Sequence, residues 1–134
     1  MENVEHHREQ ENQVFDDSKS FASFSVKDID EARKFYQETL GIDVIEEEMG
    51  VLGLNMGEDE KVMLYPKQDH EPASFTVLNF PVDNLERVMS DLSQRGVKFE
   101  HYPGTDEKGV YHGDGPLMAW FKDPSGNILS VLQE

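Results

Sequence analysis

Apolar and polar positions alternate in FASFSV (21–26): Ala22, Phe24 and Val26 fall on one side of an extended strand, with Phe21, Ser23 and Ser25 on the other. The period then changes. Ile29, Ala32, Phe35, Tyr36 and Leu40 recur at three- and four-residue spacing, which predicts an amphipathic helix. Asp28 stands where an N-cap accepts hydrogen bonds from free amides, with Glu31 placed as in a capping box. Gly41 stands where a left-handed residue ends a helix. Short segments of strand character follow in IDVIEEE, VLGLNM and KVMLYP, separated by glycine and acidic turns that suit antiparallel hairpins.

The same order returns further along. FPVDNLERVMSDLSQRGVKF (80–99) has a strand, Asp83 and Asn84, a helix with Leu85, Val88, Met89 and Leu92 on one side, and Gly96 as its stop. The offset is 56 residues from Phe24 to Phe80 and 55 from Gly41 to Gly96. VKFEHYP, PLMAWFK and NILSVLQ supply strand-like segments after the second helix. Strand, helix and three strands are thus written twice. Two copies are too few for a solenoid, and they predict two modules paired in one curved sheet with helices outside.

Composition changes the picture only at the front. Residues 1–19 hold six acids, two bases and four apolar residues, too little apolar surface to offset ordering, so a mobile acidic arm is expected there. Residues 20–134 are expected to form one domain, module one over about 20–70 and module two over about 74–134. The chain has 28 acids against 12 bases, a net charge of −16, and residues 20–134 alone carry 22 acids against 10 bases. A field of that sign repels phosphate backbones and anionic lipid, so neither nucleic acid nor a membrane surface is an expected partner. No apolar run approaches the roughly 20 residues of a spanning helix, and the front end lacks a leader pattern. The absence of cysteine excludes disulfides and thiolate sites and fits a reducing compartment, so a cytoplasmic protein is expected.

The repeat, together with DIDEARKFYQETLG (28–41) and FKDPSGNILSV (121–131), resembles the vicinal oxygen chelate superfamily of glyoxalases, bleomycin- and fosfomycin-resistance proteins and extradiol dioxygenases. The resemblance runs from Ser20 to the C-terminus. It implies an α+β fold of two βαβββ modules forming a curved mixed-sheet cup. The family's enzymes hold a divalent metal in that cup, on the first and last strands of each module. The resemblance places the first-strand positions seven before Asp28 and Asn84, at Phe21 and Val77, and the last-strand positions at Met63 and Ser130. Imidazole and carboxylate donors are missing from all four, so the expectation is no metal and no cofactor.

Strand alternation gives the lining of the expected cup: Phe21, Ser23, Met63, Tyr65, Val77, Asn79, Ser130 and Leu132, an apolar surface with a few hydroxyls and one amide. The alternative is a closed second core. In GVYHGDGPLMAW (109–120), the glycines and Pro116 predict a loop from which Tyr111, His112 and Trp120 could close over a ring; the alternative is a hairpin turn with an exposed His and a core Trp. His101 with Glu100 and Asp106, or His112 with Asp114, are candidate acid–base pairs or solvated surface pairs.

The predicted ligand-binding set is therefore Phe21, Ser23, Met63, Tyr65, Val77, Asn79, His112, Trp120 and Ser130, with no catalytic residue assigned. The expected function is metal-free binding of a small, partly apolar or aromatic molecule by a homodimer. One alternative is an enzyme of lyase, isomerase or dioxygenase type, working through unusual ligands such as His112, His101 or Glu100 or by metal-free acid–base catalysis. Another is a partner subunit with a closed cup.

Overall fold

The computed structural model describes residues 14–15, 19–58 and 60–134. The acidic arm expected over 1–19 lies largely outside the described residues. Module one runs β1 (Ala22–Val26), α1 (Ile29–Lys34), β2 (Asp43–Glu46), β3 (Leu52–Gly57) and β4 (Glu60–Pro66). Module two runs β5 (Thr76–Pro81), α2 (Leu85–Gln94), β6 (Val110–Tyr111), β7 (Leu117–Lys122) and β8 (Ile128–Gln133).

Both helix starts follow from their caps. Asp28 Oδ1 accepts from the Glu31 amide at 3.0 Å, and Asn84 Oδ1 accepts from the Arg87 amide at 3.1 Å. Gly41 and Gly96, at φ 72° and 93°, occupy the left-handed region that ends each helix without a Cβ penalty. One departure occurs inside the first module. After Lys34 the helix widens into a π turn over Phe35–Thr39, closed by the Leu40 amide on the Phe35 carbonyl at 3.0 Å.

Each module builds a four-stranded mixed sheet, in the orders β1-β4-β3-β2 and β5-β8-β7-β6. The first and last strands of each module run parallel because the helix carries the chain across, and the remaining pairs are antiparallel. The fold is α+β, as the resemblance implies. One predicted strand is corrected. VKFEHYP makes only an isolated bridge, Phe99 to Phe121, and the ladder position passes to Val110–Tyr111. The cause is a turn at Pro103–Gly104, with the Thr105 amide on the Tyr102 carbonyl, that takes the chain off the sheet before Asp106 turns it back.

The two modules share one core. Val26, Leu52, Leu54 and Leu64 from the first sheet join Ala119, Phe121, Leu129 and Val131 from the second, all at 2% exposure or less. Phe35 of the π turn reaches Phe121 across the modules, ring centroids 6.5 Å apart. Beside it, Tyr36 is fully buried and donates its hydroxyl to Asp123 Oδ2 at 2.7 Å. Burial and the Asp123 carboxylate push this phenol far above its ordinary range, so it remains a donor.

Asp123 is buried and accepts three further bonds, from the Ser125 and Asn127 amides and from Asn127 Nδ2. The same Asn127 amide group donates to the Ser25 carbonyl at 2.9 Å, and the Lys27 amide donates to Ser125 Oγ. The DPSGN turn is thus tied to the end of β1. Replacing Tyr36 by Phe is expected to lower stability by about 2 kcal/mol, the scale of a bond to a buried charged acceptor. Urea unfolding should show a lower midpoint with an unchanged slope.

Candidate functional site

Each sheet has one face against its helix and one face free of helix. On the first sheet the ladder sets Ser23 opposite Met63, Met63 opposite Gly53 and Gly53 opposite Ile45, with Ser25 opposite Tyr65 in the next row. These side chains share the helix-free face because Leu52, Leu54 and Leu64 take the other. On the second sheet Asn79, Ser130 and Trp120 form one row, and Pro81, Leu132, Met118 and Tyr111 the next.

Trp120 is the centre of an aromatic group. Tyr102 lies 5.6 Å from it and Tyr111 6.1 Å, both edge-on, an arrangement that suits the ring quadrupoles. Gly104 and Gly113 make room for Tyr111: a Cβ on Gly104 would come within 3.3 Å of its ring, and one on Gly113 would overlap it. The Tyr102 hydroxyl is buried without a partner, and burial followed by the Glu100 charge raises its pKa. Lys122, 3.6 Å from Glu100, offsets part of that rise.

Ser130 is fully buried, and its hydroxyl lies 2.5 Å from Asn79 Oδ1, while Asn79 itself is exposed. Phe21 stands just before β1 at 61% exposure, and Ser23 is exposed beside a half-buried Met63. Tyr65 is exposed on the same face.

Two predicted lining residues are placed elsewhere. Val77 falls at an irregularity where the register passes from Thr76 to Leu78, and it packs against the core. His112 lies beyond Tyr111 on the helix side of module two, in an open cleft of about 1190 Å³ with His101, Asp106, Leu85 and Met89.

There His112 Nε2 meets Asp106 Oδ2 at 2.8 Å, which corrects both expected pairings, His112 with Asp114 and His101 with Asp106. Asp106 Oδ1 also accepts from the Lys108 and Val110 amides, each at 2.9 Å. The Val110 amide, and then His112, hold this carboxyl down from 3.8 to about 2.

The spacing points to Tyr111 but not to Tyr102, which sits in the strand-like segment VKFEHYP. Nor does it point to His70. Nδ1 of His70 is 2.6 Å from Ser25 Oγ and Nε2 is 3.1 Å from the Ser125 carbonyl, a further bridge between β1 and the DPSGN turn. No local pattern marks a residue whose partners are 45 and 55 positions away.

Paired βαβββ modules with helices on one side and open sheet faces on the other define the class. The chain belongs to the Glyoxalase/Bleomycin resistance protein/Dioxygenase superfamily, whose model matches residues 20–131. Among solved structures it is similar to TnmS3, an antibiotic binding protein from Streptomyces sp. CB03234, at 26% identity and TM-score 0.65, covering 85% of this chain and 94% of that one. A glyoxalase/bleomycin resistance protein from the same Streptomyces is 28% identical at TM-score 0.61, covering 85% and 100%. The uncharacterized protein YraH of Bacillus subtilis (strain 168) is 25% identical over 123 residues, 81% of this chain and 91% of YraH.

The residues at the resemblance's metal positions do not fit a divalent ion. Phe21 offers hydrocarbon, Met63 a thioether, Val77 is turned to the core, and the Ser130 hydroxyl is engaged by Asn79. Among the described residues no three His, Cys, Asp or Glu side chains are grouped to hold one.

Two outcomes follow from the loop that carries Tyr111 and Asp106. Gly113→Ala should displace the Tyr111 ring and reduce the near-UV circular dichroism of the aromatic group, with far-UV signal retained. Because the folded-state pKa of Asp106 is depressed, its contribution to stability is full above its ordinary value and is lost as pH falls through about 2. Melting temperatures of wild type and Asp106→Asn should therefore differ at pH 7 and converge as the pH is lowered toward 2.

Proposed function

We propose that this protein binds a small, partly apolar or aromatic molecule on its helix-free sheet faces, without a metal, as a homodimer. The observation that carries this reading is Trp120 in edge contact with Tyr102 and Tyr111, in one row with an Asn79–Ser130 polar pair. Aromatic and apolar side chains with one or two orienting polar groups are the lining that small-molecule sites share. The similarity to a protein described as antibiotic binding supports the same class of ligand.

Dimerisation is supported by the free faces themselves. Ile45, Tyr65 and Tyr111 are each more than a third exposed there, with Phe21 at the edge, and a second copy would cover apolar surface that the single chain leaves wet. The net charge of −16 argues against nucleic acid as a partner, and a cytoplasmic location is consistent with the lack of cysteine. Among the described residues no helix is long and apolar enough to cross a membrane.

The catalytic alternative has one observation in its favour, the His112–Asp106 pair, but that pair stands on the helix side, away from the aromatic group. Trp120 is the single tryptophan, so its emission reports on this site. Saturable quenching by a flat aromatic molecule, lost in Trp120→Leu when the same titration is followed by equilibrium dialysis, is the expected result. Protein dialysed after expression should carry no stoichiometric divalent metal by elemental analysis; a one-to-one zinc, nickel, manganese or iron content would overturn the metal-free part.

A further inference from the structure

The Asn79–Ser130 pair says more about the ligand than its polarity alone. Ser130 Oγ and the Asn79 side chain are 2.5 Å apart. That separation lies inside the range of O–H···O bonds and below that of N–H···O bonds, so the serine hydroxyl donates and the amide oxygen accepts. The amide then has one orientation. Its oxygen is turned toward a fully buried serine, and its two N–H donors are left for another partner on a residue that is itself exposed.

Register places this donor group one strand from Ser130 and two from Trp120, in a single row across β5, β8 and β7. A molecule held against Trp120 therefore lies two strands from the Asn79 amide.

We propose that Asn79 selects ligands whose flat apolar body bears a neutral oxygen acceptor, such as a ring carbonyl, and that Ser130 is a positioning residue that fixes the amide for this task. The inference rests on the reading of the aromatic group as the binding site. A serine at this position thus serves recognition through its neighbour. Asparagine in place of aspartate at position 79 matters for the same reason, since a carboxylate would accept from Ser130 equally well and donate nothing.

The test uses 1-indanone and indane, which differ in one carbonyl oxygen, titrated into the full chain. The indole N–H signal of the single tryptophan is followed by NMR. Asn79→Asp preserves size and the bond from Ser130, and removes the donors. The ratio of indanone to indane affinity is expected to fall roughly three- to tenfold in Asn79→Asp, the scale of one neutral hydrogen bond. Ser130→Ala, which frees the amide to turn, should lower the same ratio by a smaller factor, a change in selectivity that a merely structural role would not produce.

An unchanged ratio in Asn79→Asp, with both probes still moving the indole signal, overturns this inference and leaves the binding reading intact. Failure of both probes to move the signal overturns the binding reading itself.

Discussion

The bond from Tyr36 to Asp123 is the constraint on which the arrangement of the two modules depends. A buried carboxylate is costly unless its lone pairs are satisfied, and Asp123 has four donors: one from the helix of module one and three from its own turn. The three local donors shape the DPSGN turn. The fourth joins that turn to the other half of the chain. Asn127 and Ser125 extend the link to the backbone of β1, and His70 adds a side chain bonded to both partners. Because the polar groups are paired, Phe35 and Phe121 can pack across the same junction. The sheets then have their leucines and valines covered on one side, and the opposite faces are left for function.

The proposed recognition role depends on what those faces contain in place of metal donors. A metal site would need several polar donors aimed at one point from different strands. Here the strands deliver a phenyl ring, a thioether and a hydroxyl already engaged by an amide. Removing the demand for convergent charge leaves room for aromatic side chains. Trp120 with two tyrosines against it, one of them seated where Gly104 and Gly113 have no side chains, groups three rings at small cost in side-chain entropy. The loop that presents Tyr111 is held by Asp106, whose carboxylate gathers two backbone amides and His112. An apparent acid–base pair is thereby given a structural purpose.

Most of the fold was legible in the chain. Periodicity located both helices, Asp28, Asn84, Gly41 and Gly96 marked their ends, and the repeat foretold two like modules. Along β1, β4 and β8 the ladder keeps the alternating order, with Ser23 opposite Met63 and Asn79 opposite Ser130. Alternation failed at Val77, where an extra residue in the strand shifts the side-chain order, and at VKFEHYP, where strand-like residues leave the ladder at a Pro-Gly turn. Both failures are interruptions of a period. A rule that counts in twos has no means of seeing them.

The sequence by itself determined the class of the molecule: two βαβββ modules, an acidic surface, and ligand positions without metal donors. These depend on residue type and spacing, which act locally and survive without coordinates. Only the tertiary structure decided that His112 faces away from Trp120, that Tyr102 joins it, and that the Ser130 hydroxyl belongs to Asn79. The physical reason is distance along the chain. Ser130 and Asn79 are 51 residues apart, and Tyr36 and Asp123 are 87 apart, so neither bond leaves a mark on the local pattern around its ends.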